Sequence, residues 1–385
     1  MTRSNLKKKH KEWYVGLMSG TSMDAVDVAL VSFSPLQLIA THSEPIPFTL
    51  KHALLALNSS QENTLVSLGR ADTLLGRLFA HSCLQLLKKS PISPSEVRAI
   101  GSHGQTVYHA PHSDAPFTLQ IGDPNIIASM TGITTVADFR RRDMALGGQA
   151  APLTPAFHNF LLRHPQENRW ILNIGGIANL TFLAADPHQP VVGFDTGPGN
   201  TLLDAWCYAH LKKPYDDAGQ WSQSGHVYSP LLTACLEDPY FSLPPPKSTG
   251  REYFHLTWLT QKMNAWPDLS PQDVQATLVE LTAVSISRAI QSLPATPGSL
   301  WMCGGGIYNK ALIERIMTLC HPHRIMYTDA VGIPPKWIEA VSFAWLAQQT
   351  LEGKPGNLPS VTGARALTIL GAIYPVTSPA MISRT

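Results

Sequence analysis

The feature that most restricts this fold is an apolar strand, a turn of small residues and a second strand, met twice and far apart. Tyr14-Val15-Gly16-Leu17-Met18 is apolar, and Ser19-Gly20-Thr21-Ser22-Met23-Asp24 is turn chemistry. Ala25-Val26-Asp27-Val28-Ala29-Leu30-Val31 then returns to strand-like alternation. The shape recurs with Trp170-Ile171-Leu172-Asn173-Ile174, the turn Gly175-Gly176-Ile177-Ala178-Asn179, and Leu180-Thr181-Phe182-Leu183. Each reads as a β-hairpin. One near the start and one near the middle suggest a duplicated architecture, although any mixed α/β chain contains several hairpins. At roughly 100–200 residues per domain, a chain of 385 residues favours two domains.

Between the hairpins, Leu65 to Leu87 places Leu68, Ala71, Leu75, Leu78 and Phe79 on one helical face. Val97 to Gly101 is a short strand, Val274 to Leu293 a long helical pattern, and Leu300-Trp301-Met302 strand-like again. Strands alternating with helices indicate α/β units with parallel pairing. Pro239 to Gly250, with Pro244-Pro245-Pro246, cannot be a helix interior and reads as a loop or lid edge.

Composition excludes other classes. Charged residues are 15% and apolar residues 44%, against roughly 25% charged in a typical domain, so the chain is not a disordered polyelectrolyte. A net charge of +2 from 29 basic and 27 acidic residues is too balanced for a dedicated nucleic-acid binder. The basic start (Arg3, Lys7, Lys8, Lys9, Lys11) reads as a solvated tail. The sequence has no membrane-length apolar run and no signal-peptide core. Cys83, Cys207, Cys235, Cys303 and Cys320 form no CxxC pair, which fits a reducing cytoplasm.

Four small-residue turns follow apolar runs: Ser19 to Asp24, Gly175 to Asn179, Thr196 to Asn200 and Gly304 to Gly306. A glycine turn lets backbone N–H groups approach an anion with no Cβ in the way, which makes each a phosphate-cradle candidate. The Walker-A pattern and a full GxGxxG are absent, against a P-loop NTPase or a dinucleotide dehydrogenase. Asp195, ending an apolar strand before Thr196-Gly197-Pro198-Gly199-Asn200, is placed as a general base or as a turn cap. Asp24 and Asp27 suit magnesium beside phosphates, or capping. Asp138-Phe139-Arg140-Arg141-Arg142-Asp143, followed by Gly147-Gly148-Gln149, brings arginines suited to a carboxylate or phosphate, or to surface ion pairs. His103, His109, His112, His321 and His323 match no zinc spacing. No GxSxG elbow supports a serine hydrolase.

Six segments together resemble the anhydro-N-acetylmuramic acid kinase family, in order and across about Trp13 to Pro375. They are Gly16 to Asp24, Gly101-Ser102-His103-Gly104-Gln105-Thr106, Ala137 to Arg140 with Gly147-Gly148-Gln149, Asn173 to Asn179, Gly193 to Asn200, and Cys303-Gly304-Gly305-Gly306. Ala25 and Ala150 stand where the family pattern leads one to expect glycine, each adding a methyl near a turn. The family belongs to the sugar kinase, acetate kinase and actin-like ATPase superfamily. The resemblance implies two duplicated actin-like, ribonuclease H-like α/β domains, each with a mixed five-stranded sheet, and ATP in the cleft between them. The expected domains are 13–150 and 151–361, with about 362–385 packing back on the first.

By the same resemblance, ATP is held by Gly20, Thr21, Ser22, Met23, Asp24, Ala25, Val26 and Asp27, by Asn173, Gly175 and Gly176, and by Gly304, Gly305 and Gly306. Asp24 is also the expected Mg2+ ligand. Asp195 is the expected catalytic base. Gln105, Arg140, Arg142, Gln149 and Glu339 are expected on the substrate side, although Glu339 also reads as a helix N-terminal charge. The implied reaction converts 1,6-anhydro-N-acetylmuramic acid, ATP and water to N-acetylmuramic acid 6-phosphate and ADP in cell-wall recycling. The expected partner is a small sugar, with no nucleic acid and no membrane, and a homodimer is left open. Another sugar kinase of the superfamily, or a chaperone- or actin-like ATPase switch, would use the same phosphate loops.

Overall fold

The computed structural model describes residues 11–20, 23–57, 65–293 and 298–376; Thr21 and Ser22 of the expected ATP turn lie outside the described residues. Its strands are β1 (Trp13–Ser19), β2 (Ala25–Phe33), β3 (Leu36–Pro45), β4 (Val97–Ser102), β5 (Gln105–Ala110), β6 (Phe117–Ile121) and β7 (Thr135–Ala137). They continue as β8 (Arg169–Ile174), β9 (Ile177–Leu183), β10 (Val192–Pro198), β11 (Ser299–Cys303), β12 (Arg324–Tyr327) and β13 (Ala372–Tyr374).

Both expected hairpins form, β1–β2 and β8–β9, and their strands are buried on both faces, as near-continuous apolar runs on each side of a small-residue turn require. The first sheet runs β3-β2-β1-β4-β7 with β13 at its edge, and the second runs β10-β9-β8-β11-β12. In each, the first three strands are antiparallel and the last three parallel. The same topology therefore occurs twice. A separate two-stranded ribbon, β5–β6, projects after β4.

The helix at Leu65–Lys88 buries Ala71, Leu75 and Phe79 against the outer face of the first sheet. The helix at Pro271–Gln291 is buried on nearly every side under the second sheet. Ser270 caps it by accepting the Asp273 N–H, and Pro271 occupies a first-turn position whose N–H would be orphaned anyway. Pro239–Ser242, expected within a loop, is one short helical turn capped by Asp238, with proline again at its first position.

Two helices fill the space between the sheets. Thr154–Leu162 and Ile338–Leu351 share one apolar core with Tyr14, Val136 and Phe139 on one side and Ile171, Leu183 and Trp301 on the other. The 338–351 helix lies in the stretch expected of the second lobe, yet it packs on β1, β2 and β4 of the first sheet. Two glycines make this approach possible. Gly16 and Gly101 are register partners across β1 and β4. A Cβ on Gly16 would lie 1.7 Å from the Ala340 carbonyl oxygen, and one on Gly101 2.0 Å from that of Phe343. Near the C-terminus, β13 pairs antiparallel with β7, so the first sheet is completed by residues from the end of the chain.

Candidate active site

Turns from both sheets converge where the 338–351 helix begins. Asp195 sits near the end of β10 and is 8% exposed. Its Oδ2 accepts the Thr249 N–H at 3.0 Å, and its backbone N–H donates to the Lys247 carbonyl at 3.1 Å. Tyr240 donates its hydroxyl to the Asp195 carbonyl at 2.7 Å. The proline-rich segment is thus bound along the edge of the base. Burial pushes the Asp195 carboxyl up to about 7, against the opposing pull of the Thr249 N–H, Arg140 and Lys247. A carboxyl that titrates near neutrality can both take and release a proton under working conditions.

Arg140 faces it from the first lobe. Its Nη1 donates to the Ala150 carbonyl at 2.6 Å, and its Nε and Nη2 donate to His103 Nε2 at 3.1 and 3.0 Å. Because His103 Nε2 must accept, its proton sits on Nδ1, which donates to the Gly104 carbonyl at 2.8 Å. Burial, with the Arg140 charge, holds His103 well below the ordinary histidine range and keeps it neutral. Arg140 is itself lowered to about 10 by burial, while Glu339, Asp195 and Asp143 favour its charge. Arg142 is exposed on the short helix Arg141–Ala145 and none of these contacts includes it. Arg141 pairs with Asp138 at 2.7 Å near the surface. The arginine run therefore serves both readings left open by the sequence: one guanidinium faces the site and another makes a surface pair.

Glu339 lies in the first turn of the 338–351 helix. Burial and the Asp27 carboxylate raise its pKa, while a hydrogen bond with Asn173 and the charge of Arg140 lower it. Gln105 accepts the Ser19 hydroxyl at 2.6 Å, tying β5 to the first turn. Gln149 accepts the Ser248 hydroxyl at 3.0 Å, joining the 138–150 segment to the loop beside Asp195. Asp143, fully buried, anchors that segment by accepting from Asn357, Thr362 and the Ala150 N–H.

The glycines divide by what a side chain would meet. At Gly20 and Gly305 an added Cβ meets nothing within 4 Å, and at Gly175 only the Ile177 carbonyl at 3.4 Å. These are open cradles. At Gly304, with φ of +84°, a Cβ would strike Asn173 Oδ1 at 2.4 Å, and at Gly306 the Ile174 side chain at 2.2 Å. Those two glycines seat the β11 turn on the end of β8. The Gly175 and Gly176 carbonyls accept from Gly199, Asn200 and Thr201, locking the β8–β9 turn to the β10 turn.

Asp24 is exposed and pairs with Lys51 at 2.5 Å. Asp27 accepts the Ser43 hydroxyl at 2.7 Å and has Lys336 at 3.5 Å. Asp204, in the first turn of helix Thr201–Leu211, was not singled out from the sequence. Burial and the Asp24 charge push its carboxyl up to about 7, while Arg251 and Lys51 pull it down. Its only sequence signal is its place four residues after Asn200. Among the described residues no group of three or more His, Cys, Asp or Glu stands ready to hold a metal alone. All five cysteines are free and buried.

Two sheets of one topology, with small-residue turns at their strand ends and a buried acid near the end of β10, define a duplicated mixed α/β architecture. Solved structures of low similarity include the activator of the 2-hydroxyisocaproyl-CoA dehydratase from Clostridium difficile with bound ADPNP, with TM-score 0.48, 13% identity, and 88% of this chain and 96% of that one covered. A ROK family glucokinase from Streptomyces griseus in complex with glucose and AMPPNP reaches TM-score 0.41 at 12% identity, covering 88% and 99%. Both are too distant to bear on function. The family model described as anhydro-N-acetylmuramic acid kinase matches residues 12–376. Proteins of that name from Coxiella burnetii strains Dugway 5J108-111 and RSA 493 / Nine Mile phase I are each 61% identical over 364 residues, 94% of this chain and 98% of theirs. The chain belongs to the anhydro-N-acetylmuramic acid kinase family, and is a kinase that uses ATP on a small sugar. Among the described residues, no helix is long and apolar enough to cross a membrane.

Proposed function

We propose that the protein converts 1,6-anhydro-N-acetylmuramic acid, ATP and water to N-acetylmuramic acid 6-phosphate and ADP, a step of cell-wall recycling, with Asp195 as the base. The observation that carries this reading is the placement of Asp195: buried, titrating near 7, held by the Thr249 N–H and facing Arg140. The chemistry follows from the bonds. O6 of the sugar is tied to C1, so it has no proton and no free lone hydroxyl to phosphorylate. Asp195 takes a proton from water, the water oxygen bonds to C1, and the C1–O6 bond breaks. The released O6 bonds to the γ-phosphorus of ATP as the bond to ADP breaks. General-base help of this kind supplies typically about 10²–10⁴-fold.

Other roles follow from position. Gly20, Gly175 and Gly305 leave room for phosphate and nucleoside, and the amides of such turns suit phosphoryl oxygens. Met23 belongs to the first turn, and Ala25, Val26 and Asp27, expected at the ATP turn, are the opening residues of β2, with the Val26 side chain fully buried in the core and so unable to meet the nucleotide; Asn173, Gly176, Gly304 and Gly306 shape the other two turns. Magnesium accompanies the phosphates of ATP, and the carboxylates that fit it are Asp24 and Asp204, whose mutual repulsion a cation would relieve. When bound it would disperse phosphate charge. Arg140, positioned by His103, meets the anionic group of the sugar or the transferring phosphate. Gln105, Gln149 and Glu339 line the sugar side, and Arg142 contributes to the surface around it. The first lobe comprises 13–150 with the returning helix and C-terminal strand.

Isotope labelling tests the reaction. Turnover in ¹⁸O-labelled water, quenched early, places the label on the anomeric oxygen and none in inorganic phosphate. Label found chiefly in phosphate would show an ATPase and overturn the reading.

A further inference from the structure

The short helical turn Pro359–Thr362 touches both lobes. Ser360 donates its hydroxyl to the Val191 carbonyl at 2.7 Å, just before the strand β10 that carries Asp195. Val361 is a close neighbour of Gly193 on that strand, where an added Cβ would lie 3.1 Å from it. Thr362 turns to the first lobe. Its carbonyl accepts the Gln149 N–H at 2.7 Å, and its hydroxyl donates to Asp143 Oδ1 at 2.8 Å. Asn357 Nδ2 donates to the same oxygen at 2.8 Å, and Asn357 is itself pinned by the Ala366 carbonyl and the Thr368 N–H.

Asp143 is 0% exposed, and its other oxygen, Oδ2, accepts the Ala150 N–H at 2.9 Å. The chain wraps closely round this carboxylate, since a Cβ on Gly148 would lie 2.2 Å from Oδ2. Ala150 has φ of +57°, a left-handed backbone that a side chain disfavours and glycine does not. Released from Asp143, an alanine there relaxes toward negative φ and turns its carbonyl away. That carbonyl is one of two acceptors that fix the Arg140 guanidinium, the other being His103 Nε2. A buried carboxylate serving three donors resists disturbance, because any donor left facing nothing keeps its desolvation penalty. The strained residue therefore links an anchored carboxylate to the guanidinium that faces Asp195.

We propose that Asp143 is a positioning residue for the reaction: clasped by Asn357 and Thr362, it holds Ala150 in the left-handed conformation that aims its carbonyl at Arg140, and so sets the guanidinium opposite Asp195. The assignment rests on the reaction proposed above, and Asp143 acts in it through Ala150 and Arg140.

The test is kcat/KM for the 1,6-anhydro sugar against pH, measured by ADP release with the full-length protein. Asp143→Asn keeps the shape but replaces one acceptor oxygen by an N–H donor. Oδ1 serves two donors and Oδ2 one, so the grip on Ala150 is the one lost. kcat/KM falls by about tenfold or more, with ATP affinity by calorimetry within twofold of the wild type. Asp195 is faced by Arg140 from the first lobe and by Lys247 and Glu252 from the loop beside it. With Arg140 displaced, one of the two cationic pulls weakens, and the limb near pH 7 moves up by about half a unit or more. In an Ala150→Gly background the loss caused by Asp143→Asn is at least about threefold smaller, because glycine needs no holding at positive φ. Thr362→Val, a milder change at Oδ1, moves rate and limb in the same directions and serves where Asp143→Asn does not fold. A lowered unfolding midpoint with the limb in place and no relief by glycine would overturn the proposal. Arginine-selective ¹⁵N spectra give a reading free of turnover. The Arg140 Nε–H, held on His103 in the wild type, exchanges with water about tenfold faster in the variants, and unchanged exchange would likewise overturn the assignment. A wild type releasing no ADP with the anhydro sugar would defeat the reaction, and the exchange measurement would still decide whether Asp143 positions Arg140.

Discussion

At Asp195 two demands conflict: a carboxylate in water-poor surroundings is costly, yet a base must be ionised. Burial wins far enough to bring it to about 7, where Thr249, Arg140 and Lys247 stop the rise. The free protein therefore gains activity as pH rises through about 7, seen as a limb of unit slope in kcat/KM. Asp195→Asn lowers kcat at least about 10²-fold and abolishes that limb, while nucleotide binding persists. Stability moves the other way. Because the folded pKa lies above the unfolded value, this acid's contribution is most favourable at low pH and is lost as pH rises to about 7. The Asn variant is accordingly more stable than the wild type above pH 7, as denaturant titrations at two pH values will show. Near-normal turnover would make Asp195 a turn cap. The acid at a strand end was legible in the sequence; its partners were not. Thr249 lies 54 positions away in a proline-rich stretch, and no local pattern announces that this stretch folds back on β10. His103 stood inside a recognised motif, but the role of positioning Arg140 requires the imidazole and the guanidinium to be seen together.

Elements show the same division. Hairpins were legible because apolar runs and turn chemistry are local, and the duplication emerged from them. The destination of the 338–351 helix was hidden, since periodicity reports that a helix has a buried face and never which sheet covers it. The glycines of the first motif now have different duties. Gly16 lies under the helix backbone, whereas Gly20 faces open space. Gly16→Ala forces a Cβ into Ala340 and costs at least about 3 kcal/mol, the upper end of overpacking effects, because the obstacle is main chain rather than a flexible side chain. Gly20→Ala leaves the unfolding midpoint nearly unchanged and weakens ATP binding. Chemical denaturation and calorimetry on the pair separate the two duties; equal stability of both variants would refute the packing account. Ala150, at φ of +57°, sits in the left-handed region at a position where glycine was expected. It is held there by Asp143 below its N–H and Arg140 on its carbonyl.

For the molecule as a whole, the relation of the lobes decides access. Ser248 and Gln149 join across the cleft, and Asp195 is almost sealed, so sugar can reach the base only when the lobes part. Small-angle scattering should give a larger radius of gyration without ligands than with sugar and a non-hydrolysable ATP analogue together. Identical curves under saturation would count against closure.

The return of the 338–351 helix and of β13 to the first sheet also has a consequence for biosynthesis. On the ribosome, β1, β2 and β4 emerge early, but the helix that covers their inner face and the strand that seals their edge emerge near the end. At about 5–20 residues per second, the interval is on the order of ten seconds or more. Throughout that time the nascent chain carries an uncovered apolar floor and an unpaired strand edge, so the first sheet is completed only when the last residues are made.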